Sequence, residues 1–133
     1  MDISFTDREL DVMAVLWRRG SGTVNEVRED LEDDLAYTTV LTILRTLEDK
    51  GFVSHLTEGK AHRYLPAVSK DLAGKSALTR VLDKIFDGSS EMLLTQFVSD
   101  RSLNAAELTR LRELLDARLD SGESRTARKK GRA

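Results

Sequence analysis

Apolar and polar residues alternate along the chain with two different periods. Leu10, Met13, Leu16 and Trp17 recur at the spacing of one helix face. Thr6 and Glu9 stand ahead of them three residues apart, a capping box in which each side chain satisfies an orphan backbone N–H, and Phe5 is placed as the staple residue. Gly20 and Gly22 end this helix. Thr23 and Glu26 repeat the box before a short stripe of Val24, Val27 and Leu31. The acidic run from Asp30 to Asp34 reads as a solvated turn. A third helix starts near residues 36–38, with Val40, Ile43, Leu44 and Leu47 at i, i+3, i+4 and i+7. Gly51, after Lys50, suits the residue that closes a helix.

The period then shortens. Residues 52–57 and 61–65 read as two extended runs joined by a turn at Glu58-Gly59, with Pro66 closing the second. Beyond it the chain is helical again. Ser69 is a candidate cap, and Leu78, Val81, Leu82 and Ile85 form a stripe that ends at Gly88. Ser89 or Ser90 caps a short helix carrying Met92, Leu93 and Phe97. Asn104 and Glu107 precede Leu108, Leu111, Leu114, Leu115 and Leu119. Residues 121–133 lack periodicity and read as a disordered basic tail. The pattern predicts a mainly α chain with a small β-hairpin. Its expected parts are a winged helix-turn-helix over residues 1–68, a helical region over 69–120 and the tail.

Composition narrows the chemistry. The 133 residues contain no cysteine, which excludes disulfides, thiolate metal sites and a Cys nucleophile. No apolar run approaches the roughly 18 residues that span a bilayer, and the first ten residues lack the pattern of a signal peptide. A cytoplasmic protein without membrane association is expected. The net charge of −2 hides an asymmetry: residues 1–66 carry 8 Lys and Arg against 13 Asp and Glu, whereas residues 121–133 carry 5 against 1. Bulk charge therefore does not announce a nucleic-acid binder, and any such reading rests on local placement.

No catalytic constellation is present. The two histidines, His55 and His62, both fall in the expected hairpin, and no phosphate loop, zinc-protease helix or nucleophile elbow occurs. The acidic run lacks the spacing and glycine of a calcium loop. No enzyme, cofactor or metal is expected. Three helices and a hairpin are instead the element order of a winged helix. The third helix presents Thr38, Thr39, Thr42, Arg45 and Thr46 away from its apolar stripe. Thr hydroxyls and methyls and an Arg guanidinium are groups that read base edges. Lys60, His62 and Arg63 form a small cationic cluster near the hairpin turn, suited to phosphates. The bland alternatives are ion pairing of Arg45 with Glu48 or Asp49, and Thr hydroxyls bonded back to helix carbonyls. Tyr37 suits either stacking on nucleic acid or packing between helices. Trp17 reads as core.

The later stripes hold Leu78, Val81, Leu82, Ile85, Phe86, Leu93, Phe97, Leu108, Leu111 and Leu115, more apolar surface than three short helices bury alone. A symmetric homodimer would let each copy cover the other's stripe. Two function classes stay open on the residues: a DNA-binding regulator, and a winged-helix protein–protein interaction module favoured by the acidic first half.

The stretches AYTTVLTILRTLEDKGFV (36–53), EGKAHRYLPAVS (58–69) and FTDRELDVMAVLW (5–17), with NAAELTRLRELLD (104–116), resemble the penicillinase repressor (BlaI/MecI) family over about residues 4–119. The resemblance implies a winged-helix repressor that dimerises through its C-terminal helices. It also implies an inverted-repeat operator in double-stranded DNA, read by the third helix of each subunit. In well-known members a sensor protease leads to a cut in the short C-terminal helix at an Asn-Phe pair; the corresponding pair here is Gln96-Phe97. The family often carries Arg directly before the second core Leu of the recognition helix. Here that position is Thr46, with Arg45 one residue earlier, a rotation of about 100° around the helix.

Overall fold

The computed structural model describes residues 2–100 and 102–131, with side chains described as far as residue 122. The described chain is six helices and a three-stranded sheet: α1 (Asp7–Arg19), β1 (Gly22–Thr23), α2 (Val24–Asp30), α3 (Tyr37–Asp49), β2 (Val53–Glu58), β3 (Ala61–Pro66), α4 (Lys70–Ile85), α5 (Ser90–Asp100) and α6 (Ala105–Gly131). The sheet order is β1-β3-β2, antiparallel throughout. This is a winged helix followed by further helices. Strand β1 is too short for any periodicity to reveal; it pairs Gly22 with Tyr64 and Thr23 with Arg63.

The boundaries follow from local chemistry. Both capping boxes form: the Thr6 and Thr23 hydroxyls accept from the Glu9 and Glu26 N–H groups, and each glutamate returns a bond to the threonine N–H. Helix α3 closes on Gly51, whose φ of +85° lets its N–H reach the Glu48 carbonyl while Phe52 N–H reaches that of Leu47. This double bond is the Schellman stop, and it aims the chain straight into β2. At the hairpin tip Gly59 has φ +61° and Lys60 a negative φ, the signs of a type II′ turn. The central pair is thus Gly59-Lys60, one residue later than the Glu58-Gly59 turn read from the sequence.

The core gathers Val12, Met13, Leu16, Val27, Val40, Leu44, Leu47 and Tyr64, all essentially inaccessible. Gly22 is buried among them: a Cβ there would stand 3.0 Å from Val27 Cγ2, so α2 and β1 approach as closely as they do only because position 22 lacks a side chain. Leu10, expected in the α1 stripe, is 46% exposed. The buried stripe is rotated toward Glu9, Val12, Met13, Val15 and Leu16. Glu9 tolerates burial because it accepts from Thr6 N–H and holds Lys50 Nζ at 2.8 and 3.0 Å. Phe5 packs on Trp17 and Phe52. Trp17 is only partly buried, with its indole N–H donating to Val68 O at 2.9 Å.

The chain forms two compact units, one reaching Asp87 and one starting at Gly88. Helix α4 belongs to the first unit because Ala73 is buried there, Ser76 Oγ donates to Ile3 O, and Arg80 pairs with Asp2. Its expected cap forms, with Ser69 Oγ accepting from Leu72 N–H. In the second unit Ser89 Oγ accepts from Met92 N–H and Asn104 Oδ1 from Glu107 N–H. Helix α6 runs on to Gly131, through most of the stretch the pattern reads as a disordered tail. Arg125, Arg128, Lys129 and Lys130 thus lie on helical backbone, while residues 132 and 133 fall outside the described residues.

Candidate nucleic-acid interface

Helix α3 is anchored by Val40, Leu44 and Leu47, and at about 100° per residue the opposite face carries Thr38, Thr42, Arg45 and Asp49 in line, with Thr39 and Thr46 beside them. All six are exposed. Thr42 Oγ1 donates to Thr38 O at 2.9 Å, the back-bonded arrangement, which leaves its methyl and lone pairs outward. Arg45 forms no ion pair or hydrogen bond among the described residues; the carboxylate of Glu48, one of its expected partners, is taken instead by His55 Nδ1 at 2.6 Å.

The flank of α3 facing the wing has its own order. Register pairs His55 with Tyr64 and Thr57 with His62, so the period of 2 places all four on one face of the hairpin. The two imidazoles stack in parallel, centroids 4.3 Å apart and planes 5° from each other. Tyr64 lies buried beside them; burial raises its phenol pKa, Glu48 and Tyr37 add to that, and Arg45 opposes it. Tyr37, at the start of α3, is 44% exposed.

The three hairpin cations separate. Lys60 stands exposed at the tip and His62 is exposed with its ring on His55; among the described residues Lys60 enters no ion pair. Arg63 is turned inward. Its Nε and Nη2 hold Glu58 Oε2 at 3.0 and 2.9 Å, and its Nη1 meets Glu26 Oε1 at 2.9 Å and Ser21 Oγ at 3.2 Å. Glu58 and Glu26 raise its pKa against the opposing effect of desolvation. The exposed candidates are therefore the Thr face, Arg45, Lys60 and His62, whereas Arg63 is engaged by Glu58, Glu26 and Ser21. Sequence reasoning missed Glu48, His55 and Glu26 as members of this region. The alternation of β3 held the signal for Arg63, since Tyr64 is core and its neighbours must point the other way.

Much of the acidic charge near this surface is internally matched. Arg8 pairs with Asp33, Arg19 with Glu26 and Asp30 at 3.0 Å each, and Lys50 with Glu9. Asp49, exposed on the outward face of α3, enters no such pair among the described residues.

A family model described as the penicillinase repressor matches residues 5–117. The chain belongs to the penicillinase repressor family. It is 38% identical over 120 residues to the transcriptional regulator BlaI of Mycobacterium tuberculosis H37Rv, covering 87% of this chain and 85% of that one. The penicillinase repressor of Bacillus licheniformis is 26% identical over 113 residues, covering 84% and 88%. Among solved structures, a MarR variant from E. coli complexed with operator DNA matches with a TM-score of 0.52 at 18% identity, over 87% of this chain and 76% of that one, which shows a shared fold. The named relatives of this penicillinase repressor family member are transcriptional regulators.

Proposed function

We propose that this chain is a homodimeric, non-catalytic transcriptional repressor of the cytoplasm that binds an inverted-repeat operator in double-stranded DNA. The observation that carries the reading is Arg45. It is an exposed cation in the middle of a threonine-rich helix face, with no hydrogen-bonding or ion-pairing partner among the described residues. Helix α3 enters the major groove, where Arg45 reads a guanine edge and Thr38, Thr39, Thr42 and Thr46 contact bases, methyls and phosphates. Lys60 and His62 sit over the sugar–phosphate backbone. Half-sites lie about 10 bp apart or at a multiple of it.

Dimerisation is supported by the second unit. None of its residues described through 122 is fully buried, and Met92, Leu94, Val98, Leu114, Leu115 and Leu119 are all at least 40% exposed. An open groove of about 590 Å³ lined by Phe97, Leu103, Leu111 and Leu114 runs along it. Such a helical pair lacks a core of its own, and a second copy supplies one. In the first unit Leu78, Val81 and Ile85 on α4 are likewise exposed, while Leu82, Phe86, Leu93 and Leu111 are already half-buried. Opening that interface, by a sensor protease cutting at Gln96-Phe97 or by a competitor, releases DNA because the second half-site then binds without the effective concentration of the first.

Fluorescence anisotropy on the protein's own upstream region, against a scrambled duplex at two salt concentrations, tests the reading. Preferential binding with a steep salt dependence is expected. Equal, weak binding to both duplexes would transfer the function to a protein partner. No helix among the described residues is long and apolar enough to cross a membrane.

A further inference from the structure

The wing is joined to the helix-turn-helix by a chain of charges running through four elements, α1, α2, β3 and β2. Asp30 at the end of α2 holds Arg19 Nη1 at 3.0 Å, and Arg19 Nη2 holds Glu26 Oε2 at 3.0 Å. Glu26 Oε1 accepts from Thr23 N–H at 2.9 Å and meets Arg63 Nη1 at 2.9 Å. Arg63 then grips Glu58, one residue before the hairpin tip at Gly59. Each link is only partly exposed except Glu58: the side chains of Arg19, Glu26, Asp30 and Arg63 retain about a third of their surface or less. Glu26 is the hub, since one carboxylate closes the α2 capping box and engages the two arginines. Its carboxyl is held below the usual glutamate range chiefly by the Thr23 N–H, with Arg63 and Arg19 adding to the effect against desolvation.

We propose that Glu26 is the positioning residue of the wing: through Arg63 it fixes the hairpin against α1 and α2, and Arg63 acts as a strut instead of a phosphate ligand. The sheet register makes this possible. Arg63 lies between Thr23 on one side and Leu56 on the other, so its side chain emerges three residues from the capping glutamate on the neighbouring segment. Pairing of β3 with β1 and burial of Val53 and Tyr64 seat the base of the hairpin, which leaves its tip as the part free to shift. A five-membered network crossing from α2 to the tip resists that shift and sets where Lys60 and His62 meet the backbone of DNA.

The inference rests on the DNA-binding reading, and its test separates the two. Wild-type protein, E26Q, R63M, the double variant and K60Q are titrated onto the operator duplex over a range of salt. Gln keeps the amide oxygen that a capping box needs, so E26Q loses charge without losing the cap. Removing an acidic group from a DNA-binding surface strengthens binding if only net charge matters. A strut gives the opposite sign: E26Q and R63M each weaken binding roughly three- to tenfold, and the double variant is no weaker than R63M, because residues in one network are not additive. The salt slope separates position from contact. It falls by about 1 in K60Q, a phosphate ligand, and stays at the wild-type value in R63M. Thermal unfolding of each variant identifies any that fails to fold, in which case E26Q alone decides by its sign. Tighter binding by E26Q, or a slope reduced in R63M as in K60Q, overturns the strut. Failure of wild-type protein to prefer the operator overturns the DNA-binding reading itself.

Discussion

Two residues test the chemistry one side chain at a time. Arg45→Ala removes the one α3 cation placed to read a base, and the expected loss is about 1–3 kcal/mol, or roughly 5- to 150-fold in affinity, with relaxed discrimination against mutated operators. A uniform loss across operator and scrambled duplex would make Arg45 a phosphate contact. Glu9 tests stability. Burial raises its pKa, but Lys50 and the Thr6 N–H outweigh that and hold it below the ordinary glutamate value of 4.5. A carboxyl depressed by folding contributes stability that is complete above its unfolded pKa and is lost as pH falls through the folded one. Urea unfolding should therefore show stability dropping more steeply below about pH 4.5 in wild-type protein than in Lys50→Met, in which the depression is relieved. Identical pH slopes for the two proteins would remove Lys50 from that role. These two residues also show what a sequence conceals. Arg45 was legible because helical periodicity alone places it opposite Val40, Leu44 and Leu47. Glu9 was legible as a cap but not as a buried residue, since its partner Lys50 stands 41 positions away.

At the scale of elements, the structure turns on how α3 hands the chain to the wing. The Schellman stop at Gly51 fixes the angle between α3 and β2, and φ +85° is a conformation that L side chains adopt only with strain. Gly51→Ala is expected to cost about 1–2 kcal/mol in unfolding free energy, visible as a lowered thermal midpoint. A midpoint within error of wild type would show that the turn relaxes without penalty. The helices, their caps and the hairpin were readable because each is written in neighbouring residues: threonine with glutamate three places on, serine before a stripe, glycine after one. Strand β1 and the Arg63–Glu26 pair were not, because each depends on pairing between segments distant in the chain, and the His55–Glu48 contact was not, because it joins two different elements. The docking of α4 was hidden for a similar reason. Helix α4 has the apolar stripe of a dimerising helix, yet Ala73 and Ser76 dock it on the first unit.

For the whole molecule, the contrast between units is the informative quantity. The first has a closed core, with eight side chains of Val, Leu, Met and Tyr type almost wholly inaccessible; the second has none buried among its residues described through 122. Gln96 and Phe97 lie inside α5, where Gln96 Nε2 hydrogen-bonds Asp100 Oδ2, so a protease needing an extended substrate must first unwind that turn. A second copy that covers α5 and α6 would stabilise the helix and protect the bond together. Folding of the second unit is then linked to association, and its thermal midpoint must rise with protein concentration. Leu111→Asp, placed in the groove with Leu103 and Leu114, should convert the dimer to monomer in sedimentation and weaken operator binding. It should also hasten cleavage by a nonspecific protease within residues 90–100, while binding of a half-operator through α3 changes little. A concentration-independent midpoint, with Leu111→Asp still sedimenting as wild type, would leave the apolar faces to some other partner and remove the proposed route from a cut in α5 to release of DNA.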